Sequence, residues 1–133
     1  MNETRIIGGM NPFAPALLQS LARQHGTPLW VYDAATIRQR IAELRAFDTI
    51  RFAQKANSNT HLLRLMREQG VVVDAVSRGE ILRALAAGYR PGAEPAEIVL
   101  TPARLARDTL ATGVEQGIPG NAGCRDMLGQ LGA

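Results

Sequence analysis

The sequence predicts a parallel α/β fold, and three observations predict it. Strand-like and helix-like runs alternate three times between Ile50 and Gln116, the pattern of consecutive strand–helix units. Each of the three helical runs stops at a glycine, Gly70, Gly88 or Gly117, where a helix C-terminus favours that residue. Finally, Glu68-Gln69-Gly70 before VVVD is echoed by Glu115-Gln116-Gly117 before IPGN, so a helix end leads straight into a strand twice. These strands alone do not choose between a doubly wound sheet and a (β/α) barrel. A full barrel takes about 250 residues, of which this chain could supply at most about half.

The elements follow in order. Residues 1–25 read as a leader and a helix, with Leu17, Leu18 and Leu21 at helical spacing from Phe13 to His25 and Gly26 as the stop. Residues 26–133 then read as one portion of an α/β domain. LWVYD (Leu29 to Asp33) is a short strand, and Asp33 caps a helix carrying Ile37, Ile41 and Leu44. IRFAQKA (Ile50 to Ala56) is the next strand, with the caps Asn57, Ser58 and Asn59 behind it. Asn59 to Gln69 is a helix with Leu62, Leu65 and Met66 on one face. VVVDAV is a strand, and Ser77 opens a helix to about Ala87. After the turn-rich RPGAEPAE comes the strand EIVL. Thr101-Pro102 then reads as a cap with proline at the first helical position, opening a helix to Gln116. IPGNA is a weak fourth strand before a last helix, Cys124 to Leu131.

Composition narrows the function classes. Hydrophobic residues make up 46% and charged residues 20% of the chain, ordinary for a soluble globular protein. No apolar run approaches the length of a membrane span, and MNETRIIGGMNPF lacks a signal-peptide apolar region, so the expected setting is the cytoplasm. The single Cys124 precludes an internal disulfide framework. The net charge of +3 comes from scattered arginines without interleaved aromatics, which argues against nucleic-acid binding. No phosphate-binding glycine loop is present, and no metal site is expected.

The chemistry concentrates after two strands. Alternation along Ile50 to Ala56 sets Ile50, Phe52 and Gln54 on one face and Arg51, Ala53 and Lys55 on the other. Lys55 is the only lysine and stands at the strand's C-terminal end, where parallel α/β folds bind ligands. A lysine there can form a Schiff base with an aldehyde, and the small Ala53 leaves room for a flat ring. Position alone fits at least as well a lysine that simply surfaces at a strand end. Asp74, inside the apolar VVVDAV, needs a partner, and Lys55 on the neighbouring strand is the obvious candidate. The carboxylate could equally reach solvent and cap the loop. Ser77 and Glu80 have the spacing of a capping box, so Glu80 reads first as a helix cap.

RFAQKANSN, followed by LLRLMREQGVVVDAVSRGEILRALAAGY, resembles the N-terminal barrel region of the diaminopimelate decarboxylases. That family belongs to the fold-type III, alanine-racemase-like group of pyridoxal-phosphate enzymes. GTPLWVYDAATIRQRI, IVLT and NAG…DMLGQLG are also similar, so the resemblance runs from about Gly26 to the end. It implies a partial TIM-type barrel of about four βα units, preceded by a helix–strand–helix segment. It also implies pyridoxal 5'-phosphate as cofactor, held covalently by Lys55, with Ala53 beside its ring and Asp74 and Glu80 lining the site. The implied reaction is decarboxylation of meso-2,6-diaminopimelate to L-lysine, on a small amino-acid substrate, in a homodimer. Another fold-type III decarboxylase or racemase would share the lysine strand, and an inactive cofactor-binding or partner-binding fragment is a further alternative. In this family the phosphate site and the acid at the pyridine nitrogen come from later in the chain. Cys124, where serine usually caps the helix, does not match the partner-donated cysteine. The chain alone is therefore expected to have little or no decarboxylase activity.

Overall fold

β2 (Val72–Ala75) is the centre of a parallel three-stranded sheet, with β1 (Arg51–Ala53) on one side and β3 (Ile98–Leu100) on the other. The computed structural model describes residues 13–102 and 106–131. Helix α3 (Thr60–Glu68) joins β1 to β2, and α4 (Arg78–Ala86) joins β2 to β3. α5 (Arg107–Glu115) and α6 (Arg125–Leu131) follow, while α1 (Pro15–His25) and α2 (Ala34–Ala42) precede the sheet. Each strand docks beside its predecessor without a reversal of order. That is how a barrel wall grows, and it is also the order within one half of a doubly wound sheet, short of its switch point.

The pleat separates a packed face from an open one. Phe52, Val73 and Ile98 are register partners, as are Ala75 and Leu100. They meet Leu63 of α3 and Ile81 and Ala84 of α4 in one core, where Leu63, Val73, Ile81 and Ala84 are fully buried. Along the other face run Arg51, Ala53, Val72, Asp74 and Val99, none of them buried. Valine-rich strands suit this sheet because branched side chains fill a pleated surface well.

The helix ends repeat the echo seen in the sequence. Gly70 (φ 74°) and Gly117 (φ 62°) adopt the left-handed conformation that disfavours other residues. The next amide in each case reaches back five residues, Val71 to the Met66 carbonyl (3.0 Å) and Ile118 to the Gly113 carbonyl (2.9 Å). Both are Schellman closures, which turn the chain directly into the following strand.

Contacts divide the chain into two compact units within α2, residues up to 39 and residues from 40 onward. In the first, α1 begins on Pro15, ends at Gly26 and buries none of its residues. Asp33 caps α2 as expected, accepting from the Thr36 amide (2.8 Å) and the Thr36 hydroxyl (2.6 Å). These bonds, the hydroxyl's foremost, hold the Asp33 carboxyl below its usual range. Residues 1–12, the leader, lie outside the described residues.

Five expectations need correction. Leu29 to Asp33 is not a strand: no strand pairs with it among the described residues, and Trp30 is 85% exposed. β1 stops at Ala53, because Gln54–Ala56 coil into a single 3-10 turn. In α3 the inward residue is Leu63, with Leu62, Leu65 and Met66 only half-buried around it. Thr101 does not cap a helix. Its amide donates to the Ala75 carbonyl (2.9 Å), which continues the β3 ladder, and α5 starts only at Arg107. The fourth strand shrinks to one parallel bridge between Leu100 and Gly120. Glycine there gives the backbone no side chain to pack, and the ladder goes no further.

Candidate functional site

The sheet's C-terminal edge collects the residues singled out by sequence. Ala53 and Asp74 are register partners on neighbouring strands, so both stand on the open face. Lys55 lies two residues beyond Ala53 in the 3-10 turn and is exposed. The turn itself is well tied down. The Asn57 amide closes it on the Gln54 carbonyl (3.0 Å), and the Ser58 hydroxyl donates to the same oxygen (3.1 Å).

Asp74 has found a partner, though not the one expected. The Thr101 hydroxyl donates to Asp74 Oδ1, and no ion pair joins Asp74 to Lys55. The reason is geometric. Thr101 continues β3 two residues past Val99, the register partner of Asp74, and so projects from the same face. A hydroxyl on the adjacent strand then satisfies the half-buried carboxylate without a cation.

Glu80 is buried, and its carboxylate faces the backbone. Oε2 accepts from the Val76 amide (2.8 Å), while the Glu80 amide approaches the Ser77 hydroxyl (3.4 Å). A capping box would direct the carboxylate to the Ser77 amide. Here it reaches one residue further back, to the end of the chain leaving β2. Glu80 thus ties the loop after Asp74 to the first turn of α4.

Two further residues belong to this neighbourhood. Gln54 is fully buried and donates Nε2 to the Glu80 carbonyl (2.7 Å). Its sequence signal was a polar side chain on the face assigned to packing under helices. Thr101 was hidden by its plausibility as a helix cap before proline.

The site's surroundings suit an aldehyde cofactor. An accessible lysine amine, a small residue at the neighbouring position of the open face and a carboxylate held by a hydroxyl stand at one sheet edge. A separate hollow lies at the opposite, N-terminal end of the strands, lined by Arg67, Val72, Tyr89, Arg90 and Glu97 among others. It touches none of the residues at this edge. Glu97 there pairs with Arg90 (2.6 Å) and Arg67 (3.5 Å). Burial alone would raise the Glu97 carboxyl, but the Arg90 amide and the two guanidinium groups outweigh it and hold the group below the usual range. Burial pushes the Tyr89 hydroxyl strongly upward, and that hydroxyl donates to the Leu63 carbonyl (3.2 Å). Among the described residues no cluster of three or more metal-ligating side chains occurs, and no helix is long and apolar enough to cross a membrane.

Comparison with known proteins fits this geometry. The chain is 64% identical over 115 residues to a diaminopimelate decarboxylase of Streptomyces coelicolor, covering 86% of this chain and 26% of that protein. The diaminopimelate decarboxylase of Escherichia coli K12 is 58% identical over 115 residues, covering 86% of this chain and 27% of the relative. A crystal structure of diaminopimelate decarboxylase superposes with a TM-score of 0.84 at 57% identity, covering 88% of this chain and 28% of that one. The chain thus spans about a quarter of the length of these relatives. That likeness carries the fold: the sheet and helices match the N-terminal barrel portion of these enzymes. The family described as "Pyridoxal-dependent decarboxylase, pyridoxal binding domain" matches residues 34–133, and the chain belongs to that family.

Proposed function

We propose that this chain supplies the cofactor-anchoring part of a decarboxylase acting on meso-2,6-diaminopimelate, with pyridoxal 5'-phosphate attached at Lys55. The observation that carries the reading is the match to two diaminopimelate decarboxylases over 115 residues. In a chain of 133 residues, a match of that length necessarily includes Ala53, Lys55, Asp74 and Glu80. The exposed position of Lys55 at the C-terminal edge of a parallel sheet supports it independently.

Each residue has a part in this reading. Lys55 offers the amine that binds the cofactor aldehyde. Ala53, small and on the open face, leaves space for a flat ring beside that amine. Asp74, held by the Thr101 hydroxyl, lines the same open face beside Ala53. Glu80 holds the turn after β2 through the Val76 amide, so that Asp74 keeps its position. The cofactor, when bound, supplies the electron sink for loss of the substrate carboxylate. A homodimer in the cytoplasm, with an amino acid as substrate, completes the reading. The domain reading, a leader and helix over 1–25 and a barrel portion over 26–133, goes with it.

A hybrid protein tests the reading. This chain would replace the corresponding N-terminal residues of the Streptomyces coelicolor enzyme. The hybrid should release carbon dioxide from meso-2,6-diaminopimelate and form L-lysine, and Lys55→Ala should reduce turnover at least about a thousandfold, the loss of a covalent catalytic group. A folded hybrid that turns over equally well with Lys55→Ala would overturn the assignment. Preference for ornithine or arginine would reassign the substrate.

A further inference from the structure

Gln54 is an odd residue to find buried just past the end of β1. It is fully buried, and its Oε1 has no hydrogen-bond partner. The amide cannot simply turn over to relieve this. Its Nε2 sits 2.7 Å from the Glu80 carbonyl, and exchanging the two ends would set one oxygen against another. A methionine of similar length would fill the space without burying an unpaired polar atom. Stability alone therefore does not account for glutamine here.

Its connections suggest what does. Through its backbone Gln54 begins the turn that carries Lys55, and its carbonyl receives both the Asn57 amide and the Ser58 hydroxyl. Through its side chain it grips the first turn of α4 at Glu80. Glu80 in turn holds Val76, two residues past Asp74. One buried amide thus couples the loop after β1 to the loop after β2. We propose that Gln54 is a positioning residue for Lys55, fixing the turn so that the lysine amine meets a pyridoxal-type aldehyde in the orientation needed for attack. This rests on the reading of Lys55 as the cofactor anchor and goes beyond it.

The test follows the covalent step on the full 133-residue chain. Nζ of Lys55 and the aldehyde carbon form a carbon–nitrogen double bond, and the aldehyde oxygen leaves as water. Borohydride then delivers hydride to that carbon and solvent a proton to the nitrogen, giving a stable amine. The rate of adduct formation with pyridoxal phosphate would be measured on the Lys55 peptide by mass spectrometry. Melting temperature and acetylation of Lys55 by acetic anhydride would be measured beside it. In Gln54→Met the melting temperature should stay level or rise and acetylation should be unchanged. The adduct rate should fall on the order of tenfold, the effect of a misplaced reacting group. Gln54→Asn keeps the amide but falls one methylene short of Glu80, so it should show the same loss. Adduct rates equal to the parent's in both variants would overturn the proposal. So would a loss that only follows the fraction of unfolded chain. Failure of the parent itself to form an adduct would instead overturn the reading of Lys55, and this proposal with it.

Discussion

The Asp74 carboxylate is satisfied across the sheet by a neutral hydroxyl, that of Thr101, rather than by a cation. A carboxylate inside VVVDAV had to be satisfied by something, and the only lysine stood on the next strand. The Thr101 hydroxyl satisfies it instead, from a residue whose sequence context, before proline, looked like a helix cap. No single-chain pattern distinguishes those two uses of threonine, because the deciding fact is how far β3 runs. Gln54 was legible in a different sense. Alternation placed it on the packed face, and it does lie there, but its bond to Glu80 needs a tertiary neighbour 26 positions away.

Glu97 offers a test at the same scale. Its folded-state carboxyl is held below the ordinary value. Its contribution is therefore present above the unfolded-state value, near pH 4.5, and is lost as pH falls through the lower folded-state value. Glu97→Gln should destabilise the chain at pH 7 by on the order of 1 kcal/mol, since Arg90 is largely solvated and Arg67 partly so. Urea denaturation should show that gap closing as the pH is lowered well below 4. A gap unchanged with pH would show that the ion pairs do not contribute.

At the scale of elements, capping and stopping signals served better than apolar periodicity. Asn59, Ser77 and Asp33 all cap the helices assigned to them, with side-chain oxygens accepting from amides two or three residues on. Gly26, Gly70 and Gly117 all end helices. These signals are local, so one sequence carries them whole. Which side of α3 faces inward depends on where the sheet lies, and there Leu63 displaced the face chosen from spacing. The strand read in LWVYD failed for a related reason, since a strand needs a partner that its own residues cannot supply.

Gly120 makes the element-scale prediction. Its amide neighbourhood already pairs with Leu100, which receives the Asn121 amide (2.8 Å) and donates to the Pro119 carbonyl (2.9 Å). A Cβ at Gly120 would come no closer than 3.9 Å to the Leu100 carbonyl, an ordinary contact. Gly120→Val should therefore stabilise the chain by roughly 0.5–1 kcal/mol, as a branched residue replaces glycine in an extended segment. A rise in the urea midpoint would bear this out. A fall would mean that the bridge depends on the absence of a side chain.

For the whole molecule, the order β1-β2-β3 suits either fold, and the superposition on a diaminopimelate decarboxylase and the family match decide for the barrel. Consecutive parallel strands with their helices on one side are consistent with a barrel wall, and the family match agrees. The face turned away from those helices carries Ala53 and Asp74, and the turn above it carries Lys55. Proposed function and fold are thus linked by one arrangement: the helices bury one face of the sheet, and the proposed cofactor anchor stands at the end of the other. The parallel α/β class and the strand leading to Lys55 were legible because both are repeated or rare features. Strand lengths and site contacts were not, because they depend on neighbouring strands.

Anchoring of a pyridoxal-type cofactor by Lys55 is the proposal on which the others rest. Its most direct measurement is peptide mapping of the intact chain after incubation with pyridoxal phosphate and borohydride reduction. Added mass is expected on the peptide containing Lys55, and none at that position in Lys55→Ala. Label confined to the N-terminal amine, with Lys55 unmodified, would contradict it.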